Sequence, residues 1–528
     1  PLCSSITSPL SLSVKWIGIF GRQANCSKVY CLLILKTGVP SMSGLQAENK
    51  CPNSHNSNSC SDWCKHNKHT MKEHTEIRIE GMVYRLYEDQ TAGIVRTYED
   101  HPSDLVLPEK ITYEDEDYIL AGIEARLFDL TSIVLPKTIA YIRPKAFTGC
   151  AKTLRSITIP GNVKFIGEHA FKNCEALTSV ILEDGVLAIG DKAFSGCKNL
   201  TSIKLSNSLL FIGSWAFSGC KSLTTIEMPD TVLFLGKGTF SSCTNLQSVT
   251  LSHKLTRIEL FCFDGCENLT SLVIPRSVTK LEDGAFQASG LGESCNQKLQ
   301  SIIVEDRNPK YDSRENCNSI IETKTNRLLF GCANTIIPNG VTTIAPNAFT
   351  DCSGLKSISI PNSVKSIGTR AFVGTGLTSV FVPKSVESIS DWDKPFVGLT
   401  SIKVEDGNPR YDSRNNCYAV IETGTNKFVI GSNSTIIPND VKEIGSAAFL
   451  YCTGLKSINI PYGVTKIKGR AFDCCSGLTS IIIPDSVTEI DRHAFAECTA
   501  LTYVELPGGV TLEDVAFYKC TNLTIVIF

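Results

Sequence analysis

Residues 478–498 read LTSIIIPDSVTEIDRHAFAEC, and this sequence pattern recurs along most of the chain. Leu478, Ile481 and Ile483 have the spacing by which an extended segment buries alternate side chains. Pro484 ends the strand, because proline cannot donate a hydrogen bond to a sheet. A turn containing Ala-Phe follows, and a cysteine three residues later completes the unit. The stretch therefore predicts one strand and one turn per repeat.

The unit recurs at nearly constant intervals, so the chain is a repeat array. The last apolar residue of each strand marks the repeats, most of them 23 residues apart: Leu135, Ile159, Leu182, Leu205, Met228, Leu251, Ile274, Val304, Ile337, Ile360, Val382, Val404, Ile437, Ile460, Ile483, Leu506 and Phe528. A phenylalanine stands in register with fourteen of them: Phe147, Phe171, Phe194, Phe217, Phe240, Phe263, Phe286, Phe349, Phe372, Phe396, Phe449, Phe472, Phe495 and Phe517. The spacing predicts a solenoid of seventeen rungs.

Two of the steps are 33 residues long and have a different sequence, near 305–337 and 405–437. They contain the near-copies NPKYDSRENCNSIIETKTNRLLFGCANTIIP and NPRYDSRNNCYAVIETGTNKFVIGSNSTIIP, which lie 100 residues apart. Each lacks Ala-Phe and carries two β-prone runs around a KTN or GTN turn. We expect a β-hairpin in place of the usual turn, and a duplication of whole rungs.

The phrase LTSI-x-IP-xx-V-xx-IG-xx-AF-xx-C resembles the BspA-like (Treponema pallidum-type) leucine-rich repeat, over residues 130–528. The NP-x-YDSR-x-NC segments resemble variant repeats of such proteins from gut and oral bacteria. The resemblance implies a leucine-rich repeat solenoid, α/β in class but mostly β, with a curved parallel sheet. LTSIxIP would line the concave face, and VxxIGxxAF would form short strands and turns on the convex side. It also implies a cell-surface or secreted protein that binds host or bacterial partners, and it brings no catalytic residues.

The part of the chain before the array divides in two. Residues 1–70 are rich in Ser, Asn and Cys without a sustained period, and we expect them to be poorly ordered. Within them, the apolar run 29–35 between two lysines is a candidate core of a secretion signal, and Met71 is a candidate start. Residues 71–129 carry short β-like runs between acidic turns. Because a solenoid needs an atypical end unit, we expect 71–129 to be an N-terminal cap.

Composition and motifs exclude several functions. Fifty-one basic and 53 acidic residues give a net charge of −2, which argues against a nucleic-acid partner. No apolar run approaches the roughly 18 residues of a membrane span. The chain has no GxSxG, GxGxxG, Walker loop or HExxH motif, and His169, His253 and His493 stand singly in the array. We predict neither an enzyme nor a cofactor.

Eleven of the 23 cysteines occupy one position, three residues after the phenylalanine: Cys150, Cys174, Cys197, Cys220, Cys243, Cys266, Cys352, Cys452, Cys475, Cys498 and Cys520. Equivalent residues of neighbouring rungs repeat at about 4.8 Å with parallel side chains, whereas a disulfide needs Cβ atoms about 3.8 Å apart. Free cysteine also behaves as a small hydrophobic residue. We predict a buried, reduced thiol ladder rather than a disulfide framework.

A second group of cysteines and histidines precedes the cap: Cys51, His55, Cys60, Cys64, His66, His69 and His74. Such residues are the usual zinc ligands. Their spacing, CxxxH…CxxxCxHxxH, matches no common zinc finger, and little apolar sequence surrounds them. We therefore predict no metal site.

The outward residue of each strand, between the last two core positions, offers the main candidate surface. It is apolar at four of five rungs in the middle of the array, as Val273, Ile303, Ile336 and Phe381, and Lys204 and Lys403 would lie at a polar rim. The apolar residues could reflect β-propensity alone. An exposed apolar band is equally typical of a protein-binding groove, and both interpretations stay open.

These observations leave three functions to compare. The first is a non-enzymatic protein-binding module, adhesin-like, at the cell surface or secreted. Its partner would be a host matrix protein, a bacterial surface protein or a glycan. The second is an intracellular interaction scaffold, which a thiol-rich array favours. The third is an enzyme with its catalysis in residues 1–129, where no constellation supports it. The fold alone does not separate the first two.

Overall fold

Hydrogen bonds between successive repeats build this protein as a stack of rungs. The computed structural model describes residues 75–528 apart from 99–100, 125, 283, 287–297, 391–393 and 528. This part is a mostly β solenoid of about sixteen turns with parallel sheets, which confirms the predicted fold class. Its helical content is two 3-10 turns, Arg314–Asn316 and Arg414–Asn416, with no α-helix among the described residues. Residues 1–70 and the cysteine-histidine group at 51–74 lie outside the described residues.

The LTSI segments form the first set of strands, here called the LTSI ladder. Its strands are Asp104–Val106, Ser132–Val134, Ser156–Ile159, Ser179–Leu182, Ser202–Lys204, Thr225–Glu227, Ser248–Thr250, Ser271–Ile274, Ser301–Val304, Ser379–Val382, Ser401–Val404, Ser480–Ile482, Tyr503–Glu505 and Ile525–Ile527. Side chains alternate in burial: Leu272 is buried and Val273 is exposed, as a pleated strand requires. The ladder is divided into parallel sheets of two or three strands.

The Ile-Gly segments form a second set of two-residue strands, here called the IG ladder. They are Tyr141–Ile142, Phe165–Ile166, Ala188–Ile189, Phe211–Ile212, Phe234–Leu235, Arg257–Ile258, Lys280–Leu281, Thr343–Ile344, Ser366–Ile367, Ser388–Ile389, Glu443–Ile444, Lys466–Ile467, Glu489–Ile490 and Thr511–Leu512. The glycine allows close approach of the rungs. A Cβ at Gly190 would lie 2.7 Å from the carbonyl oxygen of Ile166.

The Ala-Phe turns supply a third line of hydrogen bonds between rungs. In one turn the N–H groups of His169, Phe171 and Asn173 donate to carbonyl oxygens of the following rung at 2.7–2.9 Å. His169 and Asn173 have left-handed backbones, with φ of 58° and 59°. Each costs of order 1 kcal/mol for a non-glycine residue, and glycine takes the second of these positions in several rungs.

Six strands precede the first full rung and start both ladders. Thr75–Ile79, Met82–Leu86, Thr91–Thr97 and Glu116–Ile123 form one sheet with Lys110–Tyr113 beside the last of them. Glu116–Ile123 pairs in parallel with the first IG strand, and Asp104–Val106 pairs with the next LTSI strand. These six strands therefore continue the array and share its core, and their role as an N-terminal cap stays a prediction.

A buried carboxylate ties these strands to the first IG rung. The Glu124 side chain is 3% exposed and accepts hydrogen bonds from the hydroxyls of Tyr87 and Tyr141, at 2.5 and 2.6 Å. Arg143 lies 3.5 Å from its other oxygen. Burial, helped by the hydrogen bond to Glu124, raises the pKa of Tyr87 to about 12.

Phenylalanines stack through the interior in three runs. The rings are stacked with interplanar angles of 2–28° and with centroids 4.5–5.9 Å apart. The runs are Phe147-Phe171-Phe194-Phe217-Phe240-Phe263-Phe286-Phe330, Phe349-Phe372-Phe396 and Phe428-Phe449-Phe472-Phe495-Phe517. Offset stacking of this kind adds about 0.5–1.5 kcal/mol per pair beyond area burial.

The cysteines beside this stack are free thiols with a repeated partner. Eight of the eleven ladder thiols donate to the carbonyl oxygen of the phenylalanine one rung earlier, as Cys197 does to Phe171 and Cys498 to Phe472, both at 3.1 Å. Cys150 donates to the carbonyl oxygen of Leu127 instead. Burial raises the pKa of Cys243 to about 12, so the reactive thiolate is scarce at neutral pH. Of the eleven ladder positions, Cys520 alone is half-buried, and the other ten are buried.

The two variant segments form antiparallel hairpins that divide the core. Their strands are Tyr311–Asp312, Ser319–Glu322, Arg327–Gly331, Tyr411–Asp412, Val420–Glu422 and Lys427–Ile430. Neighbouring residues of one strand are buried on opposite faces: Ile320 packs into the core before the hairpin and Ile321 into the core after it, both 0% exposed. Val420 and Ile421 repeat the arrangement. Each hairpin is thus a partition between two hydrophobic cores.

The NP-x-YDSR motif attaches each partition to the preceding rung. Asn308 donates from Nδ2 to the carbonyl oxygens of Pro275 and Val278, at 3.2 and 2.8 Å. The buried Tyr311 hydroxyl accepts the N–H of Leu281 at 3.2 Å and so ends the IG ladder there. Ser313 Oγ accepts the N–H of Val304 and donates to the Ser319 carbonyl oxygen. Asn408, Tyr411 and Ser413 make the same bonds in the second copy.

Removing one stacked ring should loosen one part of the array. We expect Phe217→Ala to cost about 3–5 kcal/mol, because it leaves a cavity in the first core. Faster amide hydrogen exchange should stay within that core, which ends at the first hairpin. Phe472→Ala is the matched control and should affect only the third core. Uniform loss of protection along the whole array by either variant would contradict the partition.

The thiol ladder should resist alkylation while the protein is folded. In native, unreduced protein we expect little labelling at Cys197, Cys243 and Cys498, because these thiols are buried and protonated. Cys520 should react first. Mass spectrometry after denaturation without reductant should find all of them labelled. Positions that stay unlabelled in the denatured sample would be disulfide-bonded, against the prediction.

Candidate functional site

The structure places the outward apolar residues of the middle rungs at the surface. Val273 is 45% exposed, Ile303 48%, Ile336 69% and Phe381 51%, and Lys403 is exposed beside them. Exposed outward residues of the same kind occur elsewhere on the LTSI ladder, at Val134, Ile181 and Ile482, and at Ile436 in a rung without an LTSI strand. Large apolar side chains therefore face solvent along the length of this ladder.

Hydrogen bonding brings the candidate residues together in two pairs. Val273 stands directly opposite Ile303 in one two-stranded sheet. Phe381 stands opposite Lys403 in another. Ile336 belongs to neither sheet, so the five rungs do not form the continuous strand ladder that their sequence spacing suggests.

The rung of Ile336 is bound to the first hairpin. The Thr335 hydroxyl donates to the Asn318 carbonyl oxygen at 2.7 Å and accepts the N–H of Cys332 at 2.8 Å. The N–H of Ile336 donates to the carbonyl oxygen of Cys317 at 3.1 Å. These bonds direct the segment toward its own hairpin and away from the neighbouring rungs.

The following rung, residues 355–360, consequently lacks a strand partner. No backbone hydrogen bond joins 356–360 to any other residue that the structure describes. Ile358 is only half-buried, whereas the equivalent Ile302 and Val380 are buried. A surface cavity of about 560 Å³ lies here, lined by Ile336, Pro338 and Ile358 among others.

The second copy repeats this arrangement 100 residues later. Ile436 is 69% exposed, its N–H donates to the Cys417 carbonyl oxygen, and Ile458 is half-buried. One inter-rung bond survives there, from the Thr479 N–H to the Lys456 carbonyl oxygen at 3.3 Å. Sequence reasoning missed both unpaired rungs. The 33-residue step before each was the available signal.

Carboxylates fix the turns that border the apolar residues. Asp230 Oδ1 accepts the backbone N–H of His253 at 3.0 Å and lies 2.8 Å from His253 Nδ1. Glu305 Oε1 lies 3.1 Å from His253 Nε2, and its other oxygen accepts the N–H of Arg276 at 2.9 Å. The hydrogen bond to Asp230, with the negative charge of Glu305, raises the pKa of His253.

The described residues hold no set of three His, Cys, Asp or Glu side chains arranged to bind a metal ion. Among these same residues, no helix has the length and apolar character that crossing a membrane requires.

Comparison with known proteins identifies the repeat. A model of the BspA type leucine rich repeat region matches residues 124–187, 164–292, 321–404 and 427–528 in six copies. The chain belongs to the BspA-type leucine-rich repeat family. The unmatched stretches inside this BspA-type array, 293–320 and 405–426, contain the two NP-x-YDSR motifs.

Several solved structures are similar to the chain. A leucine rich cell surface protein from Faecalibacterium prausnitzii is 25% identical over 86% of this chain and 95% of that chain, with a TM-score of 0.47. A leucine-rich repeat protein from Bacteroides ovatus is 24% identical over 85% and 94%, with a TM-score of 0.38. The T. pallidum leucine rich repeat protein is 21% identical over 57% and 89%, with a TM-score of 0.23. No curated protein is significantly similar to the chain.

Acidic pH should strengthen the contact between His253 and its two carboxylates. Because the folded-state pKa is raised, this stabilisation is complete below the unfolded value near 6.5 and is lost as pH rises through the folded pKa. The melting temperatures of wild type and His253→Asn should therefore differ more at about pH 5.5 than at about pH 8.5. The effect will be small because the imidazole is half exposed. An equal difference in melting temperature at both pH values would contradict this prediction.

Proposed function

We propose that this BspA-type array is a non-enzymatic protein-binding module of a bacterial cell-surface or secreted protein. The proposal rests on two exposed apolar positions of the LTSI ladder. One is the neighbouring pair Val273 and Ile303, and the other is Phe381. Contiguous exposed apolar patches on a surface are typical of interaction sites. The partner would be a host matrix protein or a bacterial surface protein, with a glycan as the alternative ligand.

Rigidity and size support the same face as a binding surface. Val273 and Phe381 project from hydrogen-bonded strands whose alternate side chains are anchored in the core, so little conformational entropy is lost when a partner binds. The rungs from Val273 to Phe381 would supply the centre of an interface of about 800 Å² per partner. Phe381 is the proposed anchor, because buried aromatic side chains dominate interface energetics. Lys403 opposite it would lie at the rim.

An intracellular scaffold is the second candidate, favoured by the sixteen free cysteines among the described residues. Burial weakens that argument, because fourteen of them are buried and protected from oxidants. Labelling intact cells with an impermeant amine reagent tests location. Modification of exposed array lysines in intact cells would support the surface assignment, and modification only after lysis would support the scaffold.

Replacing two apolar residues of the face should weaken binding without unfolding the protein. We expect Phe381→Ser/Ile303→Ser to weaken capture of immobilised matrix proteins or bacterial surface extract about tenfold or more. Circular dichroism and melting should barely change, because both side chains point outward. Ile181→Ser/Ile482→Ser is the matched control, with two outward apolar residues replaced elsewhere on the ladder. Unchanged capture by the first variant would place the binding site on another face.

A further inference from the structure

We propose that the IG ladder of the first core carries a second docking surface, which receives an acidic amphipathic helix of a partner protein. This surface, here called the IG patch, consists of Phe165, Leu187, Leu210, Phe211, Leu233 and Phe234. It lies on a different ladder from the LTSI face. The inference therefore goes beyond the proposed function and does not depend on it.

The three leucines of the IG patch form one continuous column. Each of their N–H groups donates to the carbonyl oxygen of the residue one rung earlier: Leu187 to Lys164 at 2.9 Å, Leu210 to Leu187 at 2.8 Å and Leu233 to Leu210 at 2.9 Å. The leucines consequently stand above one another, with Lys164 at the head of the column.

The phenylalanines form a second column beside the leucines. Phe165, Ala188, Phe211 and Phe234 are paired in parallel register, and the rings of Phe211 and Phe234 have centroids 6.0 Å apart. Four rungs paired in this way cover about 14 Å. The two columns together give an unbroken apolar strip across four rungs.

The side chains of the IG patch are directed away from the core. The next residue of each strand, such as Ile189 or Ile212, is buried, and strand side chains alternate between faces. Leu233 is 45% exposed, and the other five residues are half-buried. The solenoid core therefore does not account for apolar side chains at these positions.

Later rungs show that the fold accepts polar residues here. In the nine described IG strands that follow Phe234–Leu235, the position of the phenylalanine is polar or charged, as in Arg257, Thr343 and Glu489. Strand propensity alone would not confine phenylalanine and leucine to four neighbouring rungs. A contiguous apolar patch of this kind marks an interaction site.

Positive charge borders the IG patch. Residues 140–145, 164–172, 187–195, 210–218 and 233–241 cross this side of the rungs, and they contain six basic and two acidic side chains. Both acidic residues have partners within the array: Glu168 lies 3.1 Å from His169 Nδ1, and Asp191 accepts the N–H of Ser214 at 2.7 Å. Lys237 lies three residues beyond Phe234, and its Nζ is 5.0 Å from the ring centre of Phe261.

His169 reports the same concentration of cations. Burial lowers its pKa, and the positive charges of Lys172, Lys192 and Lys145 lower it further, against the opposing effect of Glu168. The IG side of the third core differs, because its charges form ion pairs such as Lys466 with Glu489 at 2.7 Å. Charge complementarity thus favours an acidic partner at the IG patch.

The backbone of the IG patch favours a helix over a strand. Three of its four strands are hydrogen-bonded on both edges, so a partner meets side chains and not a free strand edge. A helix satisfies its own backbone hydrogen bonds and offers an apolar stripe to such a strip. Acidic residues beside that stripe would then reach the bordering lysines.

Two other occupants fit the IG patch less well. A second copy of this chain would bring two positively charged patches together, which costs affinity. A lipid surface is bound by side chains that penetrate about 5–10 Å into it, whereas five of the six apolar residues here are half-buried.

Selection from a peptide library tests the proposal. The displayed peptides have about 14 residues, or four helical turns, with Leu or Phe at i, i+3, i+4 and i+7 and with Glu, Lys, Gln or Ser elsewhere. We expect binders to the folded chain that are enriched in glutamate over lysine. A library without binders, or with binders rich in lysine, would overturn the proposal.

A synthetic copy of the strongest binder tests the helical form. Replacing one central residue of this peptide by proline should lower its affinity about tenfold or more, because proline breaks a helix. Unchanged affinity of the proline peptide would contradict helical binding.

Substitutions in the protein locate the site. Phe211→Ser/Leu233→Ser should weaken binding of the selected peptide about tenfold with little change in melting temperature, because both side chains point outward. Phe381→Ser/Ile303→Ser is the control on the LTSI face and should leave peptide affinity unchanged. Because the two double variants affect different ligands, either proposal can fail while the other stands.

Charge reversal gives a second test that does not remove apolar contacts. Lys192→Glu/Lys237→Glu should weaken peptide binding about tenfold, and this loss should shrink at high salt. Lys365→Glu/Lys442→Glu makes the same change of charge on the IG side of later rungs and should leave affinity nearly unchanged. An equal loss in both variants would contradict a local acidic contact.

Sedimentation distinguishes the other occupants. We expect the wild type to stay monomeric and to remain unbound by vesicles in which about a third of the lipids are anionic. Self-association or vesicle binding that is lost in Phe211→Ser/Leu233→Ser would assign the IG patch to a second copy or to lipid, and would overturn the proposal.

Discussion

The distance between rungs is the constraint on which the rest of this structure depends. Backbone hydrogen bonds along the LTSI ladder, the IG ladder and the Ala-Phe turns hold successive repeats near the 4.7–4.9 Å spacing of paired strands. At that spacing the phenylalanines of successive rungs stack in three runs, with centroids 4.5–5.9 Å apart. The cysteine three residues later reaches the carbonyl oxygen one rung back, at 3.1 Å for Cys197. No single repeat can bury these side chains alone, so stability arises between neighbours.

The hairpins interrupt this regularity twice, and the interruptions organise the chain above the level of the repeat. A hairpin strand with both faces buried closes one hydrophobic core and opens the next. Its attachment through Asn308, Tyr311 and Ser313 replaces the bonds that a normal rung would have made. The same exchange removes strand partners from the next LTSI rung. The attachment of the first hairpin thereby leaves the backbone of 355–360 without a strand partner.

The proposed binding function depends on what the LTSI ladder presents to solvent. The core positions are constrained by stacking and packing, and the IG positions by the close approach of rungs. Outward LTSI residues are constrained by neither packing nor the approach of rungs. They can therefore vary between arrays without disturbing the fold. If the proposed binding function holds, the choice of ligand would depend on residues such as Phe381 and Lys403 together with the shape around Ile336.

The repeat period alone determined the solenoid, its strands and its buried phenylalanine and cysteine positions. This follows because a fixed spacing leaves only one register in which every Leu478-like and Phe495-like residue is buried at once. The sequence also showed that 308–338 and 408–438 were near-copies in which a hairpin replaces the turn. Only the tertiary structure showed that each hairpin divides the core, because adjacent residues such as Ile320 and Ile321 look alike in sequence and differ only in the core they face. The loss of pairing at 355–360 was likewise decided by tertiary contacts. The sequence there, GLKSISIP, matches that of an ordinary strand. The preceding rung does not pair with it, because Thr335 and Ile336 bond to the hairpin instead.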